Sequence, residues 1–299
     1  MRRFGDRVLD WGADHRRDLP WRHTRDPWAV LVSEVMLQQT QADRVIGYYR
    51  TFLNTFPTPA ACARARPAAV LGVWSGLGYN RRALNLHRAA QAIVTEHDGA
   101  LPAEEQALRA LPGVGPYTAR AVLSFAFGAD VATVDTNVVR VLARCVEGAP
   151  LTVARAQVLA DRLVPSGRSW DFNQTMFDLG ATVCVPRPAC AECPLRRLCR
   201  WRRGAPGRSG PDGGPGNPGP DPWRASPSAR PQSRFAGSDR QGRGRLLHSL
   251  RGGPVPAAEV AAACGWREDH ARSDRIAAAL VAEGFAQWSL DDPNLLQLR

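Results

Sequence analysis

The sequence predicts an all-α domain, a flexible linker and a small C-terminal module that combines helices with strands. Three observations support this fold class. From residue 1 to about residue 200, apolar residues recur at helical spacing in successive segments, without the alternation typical of strands. Glycine and proline then dominate residues 203–234. From residue 235 the helical spacing resumes, and the chain ends in two short strand-like runs.

Nine segments of the first part predict helices, and breakers such as Pro57, Pro102 and Gly128 separate them. The predicted helices are 3–17, 27–40, 42–55, 80–97, 103–111, 116–127, 136–146, 153–164 and 170–183. Each has an apolar face that must be buried against another element. The sequence therefore predicts one helical domain over residues 1–202.

Residues 203–234 are too rich in glycine and proline to bury a core, which predicts a linker. The remainder, residues 235–299, predicts a helix at 239–251, the segment PVPAAEVAAACG, a longer helix at 268–283, and two candidate strands around an Asp-Asp-Pro turn. Three helices followed by a hairpin are typical of a winged-helix module. Such a module binds DNA or serves as a packing or protein-contact domain, and the sequence leaves both open.

The charge balance favours a polyanionic partner. All 39 basic residues are arginine, against 28 acidic residues, which gives a net charge of +11. A basic excess suits nucleic acid because neutralised phosphates release their counterions, although compositional drift in an arginine-rich proteome gives the same excess. No signal peptide or membrane-length apolar stretch is visible. We therefore expect a cytoplasmic, nucleoid-associated protein with no membrane partner.

Four of the seven cysteines follow one another closely, as Cys184-x5-Cys190-x2-Cys193-x5-Cys199. The odd total and the single cluster indicate a reducing compartment and a metal site, not disulfides. The loop 184–199 is short enough for its four thiolates to surround one metal centre. Without further context, zinc is the default interpretation of such a cluster.

A tight turn between two predicted helices carries the sequence LPGVGPYT at residues 111–118. Gly113 and Gly115 permit a turn that side chains would obstruct, and the backbone N–H groups that begin the second helix suit a phosphate oxygen. The segment predicts a DNA-backbone contact; an ordinary helix–helix turn is the alternative.

Several segments resemble known DNA repair enzymes. LPGVGPYTARAV at 111–122 resembles the helix-hairpin-helix of the endonuclease III superfamily, and VDTNV at 134–138 resembles its catalytic aspartate segment. SEVMLQQTQ at 33–41 resembles the MutY-type adenine DNA glycosylases, as do LPWR at 19–22 and GLGY at 76–79. The resemblance covers roughly residues 1–200. It implies a monomeric base-excision enzyme that removes adenine mispaired with 8-oxoguanine or guanine in double-stranded DNA.

Two carboxylic acids carry the chemistry that this resemblance implies. Glu34 lies on an apolar helix face, where desolvation is expected to raise its pKa, and the resemblance makes it the acid that protonates adenine. Asp135 is expected to cap the following helix. The resemblance also makes it the group that stabilises positive charge on the deoxyribose, with Asn137 beside that centre. Without the resemblance, a Glu34 carboxylate that touches solvent would be the more ordinary interpretation.

The resemblance also assigns residues to DNA contact and to the mode of catalysis. Bifunctional superfamily members carry a lysine at the position of Tyr117 and form a Schiff base with it. Because this chain has tyrosine there and no lysine anywhere, we expect base removal without efficient strand cleavage. The implied DNA-contact residues are Arg22, Gln39, Thr40, Tyr79, Gly113 and Gly115. Gln39 and Tyr79 would fill the gap that a flipped base leaves; surface charge is the alternative for Arg22.

The cysteine loop follows the last helix of the domain, where the family holds a [4Fe–4S] cluster, so the resemblance favours that cofactor over zinc. The first gap holds five residues where the family usually has six. The family usually has a Nudix-like C-terminal domain that reads 8-oxoguanine, whereas residues 235–299 are too few for it and show a different pattern. The module at 235–299 either takes the place of that reader or adds nonspecific affinity for DNA, and the choice between 8-oxoguanine and guanine stays open. Two alternatives stay open: a thymine or uracil mismatch glycosylase on the same scaffold, and a non-catalytic iron–sulfur DNA-binding protein.

Overall fold

The computed structural model describes residues 2–204, 220–226 and 234–299. These residues form fifteen α-helices, named in chain order: α1 Arg2–His15, α2 Pro27–Leu37, α3 Ala42–Thr55, α4 Pro59–Arg64, α5 Pro67–Val73, α6 Arg81–Glu96, α7 Glu105–Ala110, α8 Pro116–Phe125, α9 Thr136–Leu142, α10 Val153–Asp161, α11 Ser169–Asp178, α12 Arg200–Arg203, α13 Asp239–Gly252, α14 Val260–Cys264 and α15 His270–Ala282. The strands are β1 Val255–Pro256, β2 Ala286–Trp288 and β3 Leu295–Leu298. The nine helices predicted for the first part are all present.

Several helix ends differ from the prediction. Helix α2 ends at Leu37 instead of residue 40, because the chain turns at Gln39, whose φ is +56°. Helices α9 and α11 give way to single π turns, Ala143–Glu147 and Leu179–Val183. Helices α4 and α5 were not predicted from the sequence. Helices of six and seven residues are too short to show a clear 3.6-residue period.

The chain divides into two compact units. The first comprises Met1–Leu31, Ala103–Arg109 and Val114–Pro231. Its core forms where α1, α9, α10 and α11 meet, and the rings of Phe4 and Phe172 lie 6.5 Å apart within it. This unit contains both the aspartate segment and the cysteine loop.

The second unit comprises Val32–Pro102, Ala110–Gly113 and Gln232–Arg299. Helices α4 and α5 pack against α6, and the ring of Phe52 meets Phe56 and Trp74 edge-on at 5.1 and 6.0 Å. The unit also includes the C-terminal module, whose core contains Leu246, Leu280 and Leu296.

The C-terminal module has the predicted winged-helix order, α13, β1, α14, α15, β2, β3. Its three strands form an antiparallel sheet in the order β1-β3-β2. Leu296 pairs with Val255 on one side and with Trp288 on the other. The short strand β1 was not predicted, because two residues carry no periodic signal. No helix in the described part of the chain has the length and hydropathy of a membrane span.

Candidate active site

The turn between α7 and α8 requires glycine at one of the two positions where the sequence predicted it. Gly113 has a φ of +80°, and a Cβ at this position would lie 2.7 Å from Cβ of Asn85, so only glycine fits. Gly115 has ordinary extended backbone and a Cβ there would meet nothing within 4 Å, so the prediction that a side chain would obstruct the turn is wrong for this glycine. Pro116 begins α8. The backbone N–H groups at the start of a helix point along its axis at the positive end of its dipole, so this end of α8 suits an anion.

Asp135 caps helix α9, as predicted. Oδ1 accepts a hydrogen bond from the backbone N–H of Val138 at 2.7 Å, and Oδ2 accepts one from Nδ2 of Asn137 at 2.9 Å. Burial raises the pKa of Asp135, while these two hydrogen bonds and the charge of Arg140 oppose that rise. The carboxyl group is therefore held in one orientation and is protonated more readily than an exposed aspartate.

A chain of hydrogen bonds connects Asp135 to the start of the cysteine loop. Arg140 donates from Nη2 to Oδ1 of Asn137 and from Nε to the carbonyl of Cys184, both at 2.7 Å. Nη2 also donates to the carbonyl of Gly180 at 2.7 Å. A Cβ at Gly180 would lie 2.7 Å from Cβ of Asn137, so the π turn leaves no space for a side chain there. Arg140 was not predicted as a site residue.

The four clustered cysteines line one open pocket in the first unit, together with Cys145. Nη1 of Arg144 lies 3.5 Å from Sγ of Cys184. A hydrogen bond from the Cys145 thiol lowers the pKa of Cys199 to about 7, whereas burial raises the pKa of Cys184. The pocket is lined by Cys184, Cys190, Cys193 and Cys199, with Arg144, Arg196 and Arg202 among the other residues.

Thiols around one pocket, with arginines among the lining residues, suit a metal group whose complex with the thiolates has a net negative charge. In the described residues, no three or more His, Cys, Asp or Glu side chains are grouped closely enough to hold a single metal ion.

Residues 220–226 lie against the same region of the first unit. Asp221 accepts two hydrogen bonds from Arg144, at 2.6 and 3.0 Å, and both side chains are largely buried. Trp223 is buried with the guanidinium of Arg140 5.3 Å from its ring, and Oγ of Ser226 accepts from the backbone of Leu151 at 3.2 Å. The prediction of a flexible linker over residues 203–234 is wrong for these seven residues, because Trp223 is buried and Asp221 is paired with Arg144. The signal in the sequence is an Asp-Pro-Trp within a segment otherwise poor in acidic and aromatic residues. The predicted linker residues 205–219 and 227–233 lie outside the described part of the chain.

Glu34 lies in α2 and is buried, with 4% of its surface exposed. Its neighbours one turn away, Val30 and Leu31, are buried as well. The alternative of a carboxylate that touches solvent is therefore wrong. Nearly every residue of helix α2 from Trp28 to Met36 is buried. Its sequence is therefore apolar on all sides of the helix and not along one face only.

The turns that carry Gln39 and Tyr79 share one unusual feature. Both residues have positive φ, +56° and +49°, which is rare for residues other than glycine. The buried guanidinium of Arg82 donates to the carbonyls of Gln38 at 2.6 Å and Gly78 at 3.2 Å, one next to each residue. It also donates to Oγ1 of Thr40 at 3.1 Å. Arg82 therefore fixes both turns, and nothing in its sequence neighbourhood predicted this.

The remaining predicted residues have partners in the first unit. Arg22 has only 5% of its side chain exposed and binds both oxygens of Asp178, at 2.7 and 3.0 Å, so it is not an ordinary surface charge. Tyr117, in the first turn of α8, is half-buried, with the ring of Phe177 6.3 Å away.

The chain belongs to the HhH-GPD superfamily of base excision DNA repair proteins, and the family match covers residues 32–150. It is 40% identical over 289 residues to the adenine DNA glycosylase of Mycolicibacterium smegmatis. This alignment covers 95% of this chain and 92% of that protein. It is 43% identical over 215 residues to the adenine DNA glycosylase of Homo sapiens, across 67% of this chain and 39% of that protein. The family resemblance seen in the sequence is thereby confirmed.

Solved structures agree on the fold. A thermostable thymine-DNA glycosylase superposes with a TM-score of 0.64 and 35% identity, covering 66% of this chain and 94% of that chain. Endonuclease III, trapped as a covalent intermediate with DNA, superposes with a TM-score of 0.57 over 66% of this chain and 92% of that chain. At 23% identity the second likeness bears on the fold alone. The predicted helix-hairpin-helix fold class is confirmed.

Proposed function

We propose that this protein is a monofunctional DNA glycosylase, a hydrolase that excises adenine opposite 8-oxoguanine or guanine. The observation that carries the proposal is the buried carboxyl group of Glu34, within a segment that resembles adenine-specific enzymes. An adenine leaves the sugar more easily once its ring is protonated, and a carboxylic acid in apolar surroundings can supply that proton. The 40% identity to an adenine DNA glycosylase supports the same substrate base.

Asp135 is proposed to stabilise the positive charge that develops on the deoxyribose as the glycosidic bond breaks. Its carboxylate is held by Val138 and Asn137 in one orientation, so little reorganisation is required at the moment of reaction. Asn137 supports Asp135 directly, and Tyr117 supports the pocket for the substrate. Without lysine in the chain, no lysine Schiff base with the sugar can form, which supports base removal without efficient strand cleavage.

Cys184, Cys190, Cys193 and Cys199 are proposed to hold a [4Fe–4S] cluster, since all four line one pocket. When bound, such a cluster cross-links the loop through four iron–thiolate bonds. The side chain of Arg144 lies against Cys184 and would offset negative charge there.

The DNA contacts are proposed to come from three places. The turn at Gly113 and Gly115 would receive a backbone phosphate at the start of α8. Gln39 and Tyr79 would fill the gap left by the flipped adenine, with Thr40 supporting the first of these turns through Arg82. Arg22 would act indirectly, by fixing Asp178 in α11. We also propose that the protein works as a monomer on chromosomal DNA in the cytoplasm.

The test is a single-turnover assay on end-labelled duplexes with adenine opposite 8-oxoguanine or guanine, and with thymine or uracil opposite guanine. Each duplex is analysed with and without hot alkali. Cleavage that requires alkali and occurs only at adenine is the expected result. Glu34→Gln and Asp135→Asn should abolish turnover while duplex binding is retained. Loss of binding in either variant would instead make that residue structural.

A thymine mismatch glycosylase is the second candidate, and the 35% identity to the thermostable thymine-DNA glycosylase favours it. The same assay separates the two, because this candidate requires cleavage at thymine opposite guanine. No excision from any duplex, with duplex binding retained, would identify a non-catalytic DNA-binding protein.

A further inference from the structure

The C-terminal module carries almost none of the protein's excess positive charge. Residues 234–299 contain nine arginines and eight acidic residues, a net charge of +1, whereas residues 1–233 contain 30 and 20. DNA-binding modules concentrate positive charge on the face that meets the phosphates. The module therefore lacks the overall charge expected of a DNA-binding domain.

Its exposed faces agree with this. In a winged-helix module, DNA meets the third helix and the wing. The exposed positions of α15 are Asp274 and Arg275, one of each sign, together with His270 and three alanines. The loop between β2 and β3 presents Asp291 and Asp292 beside Leu290, which is 98% exposed. Neither face is basic, so DNA is not the partner that this module fits.

Two charged side chains of the module, Glu283 and Arg251, instead contact the beginning of α6 and the residue before it, in the same unit. Glu283 forms ion pairs with Arg81 of α6 at 2.7 Å and with Arg243 of α13 at 2.5 Å. Its backbone carbonyl accepts a hydrogen bond from Arg88 of α6 at 2.9 Å. The end of α15 is thereby fixed against the first two turns of α6.

Two further contacts of the module reach Asn80, which directly precedes α6, and helix α5. Arg251, at the end of α13, donates to Oδ1 of Asn80 at 3.2 Å. The backbone N–H of Ala68, in α5, donates to the carbonyl of Arg299 at 3.1 Å. Asn80 and Arg81 are the two residues that directly follow Tyr79, and the module therefore holds the chain immediately after this left-handed turn.

We propose that the C-terminal module is a brace for the Tyr79 turn: through Glu283 and Arg251 it positions the aromatic ring that enters the DNA when adenine is flipped. Arg82 fixes the same turn from the other side, through the carbonyl of Gly78. The proposal rests on the function proposed above, in which Tyr79 fills the gap that the flipped adenine leaves. Glu283 and Arg251 are then positioning residues that touch neither DNA nor adenine.

The test uses full-length variants with the cluster loaded. Glu283→Gln and Arg251→Met each remove one contact with the residues after Tyr79, and Arg275→Ala on the exposed face of α15 is the matched control. A duplex with 2-aminopurine beside the target adenine reports base unstacking in a stopped-flow experiment. Each brace variant should slow the fluorescence rise and the single-turnover rate by about fivefold, with wild-type salt dependence of duplex binding. Arg275→Ala should change neither rate nor binding.

A double-mutant cycle with Tyr79→Ala separates bracing from general destabilisation. If Glu283 acts through Tyr79, Glu283→Gln should cause no further loss in the Tyr79→Ala background. Full additivity, or a brace variant with wild-type unstacking, would overturn the proposal. Weaker, less salt-dependent binding by Arg275→Ala would also overturn it, because the module would then contact DNA. If base unstacking is normal with Tyr79→Ala, then Tyr79 does not fill the gap left by the flipped adenine, and the proposed function of Tyr79 is contradicted before that of the module.

Discussion

Asp135 combines two roles at the scale of a single side chain. One carboxylate oxygen satisfies a backbone N–H at the start of α9, and the other accepts from Asn137. A capping aspartate contributes about 1 kcal/mol to helix stability. Replacing it by asparagine preserves most of the cap but removes the negative charge, so this substitution separates capping from charge stabilisation.

The pH dependence of excision should reveal the state of this carboxyl group. Burial raises the pKa of Asp135 above the ordinary value of 3.8. Because the proposed role requires the carboxylate, the acid side of the rate–pH profile should fall as pH decreases through this raised pKa. A rate–pH profile, with duplex binding as the control, measures this. An excision rate that stays constant to pH values near 3.8 would show that the ionised form is not required.

The structural roles of two arginines could not be predicted from the sequence, whereas those of other site residues could. Glu34, Asp135 and the cysteines were identifiable because their chemical type and local spacing are distinctive. Arg82 and Arg140 were not, because their partners are mainly backbone carbonyls 40 or more residues away in sequence. Carbonyls are present at every position, so no pattern of residue types indicates which of them an arginine will bind.

At the scale of elements, the turn between α7 and α8 depends on glycine for steric reasons. Gly113→Ala would place a Cβ 2.7 Å from Asn85 at a φ of +80°, with a strain of at least about 1 kcal/mol. We expect duplex binding to weaken by about tenfold, since the turn must shift away from the phosphate. Fluorescence anisotropy measures this. Gly72→Ala in α5, where a Cβ meets nothing within 4 Å, is the control. Equal duplex affinity of the two variants would contradict the proposed phosphate contact at this turn.

The anchored segment 220–226 should protect the cysteine pocket. Asp221→Asn leaves the buried guanidinium of Arg144 without its charged partner, which costs on the order of 3 kcal/mol. We expect the variant to lose iron faster than the wild type during a chelator challenge, as measured by iron content and visible absorbance. Asp10→Asn, at an exposed position of α1, serves as the control. Retention equal to the control would mean that the segment does not stabilise this pocket.

Helix identity was predictable in this chain, whereas helix ends were less so. Long periodic segments such as α3 gave correct bounds, 42–55, because their apolar faces extend over several turns. The end of α2 was wrong because the sequence around Gln39 continues the helical pattern, and the turn depends on Arg82 from a distant helix. Tertiary hydrogen bonds overrode the local preference there.

For the whole molecule, positive charge is concentrated in residues 1–233, which hold ten of the eleven net charges. Duplex affinity should therefore fall steeply with salt, by about a hundredfold or more between 50 and 200 mM if five or so phosphates are neutralised. Anisotropy titrations at several salt concentrations measure the slope. An affinity that is independent of salt would contradict a phosphate-dominated interface.

Gly180 shows that this enzyme can be vulnerable at a residue that takes no part in the chemistry itself. It contributes no side chain and lies in a π turn. Yet a single added methyl group would collide with Asn137, displace the amide that holds Asp135, and disturb the carbonyl that Arg140 binds. An inherited change at this glycine would leave every catalytic residue in the sequence intact and still be expected to produce a mutator cell.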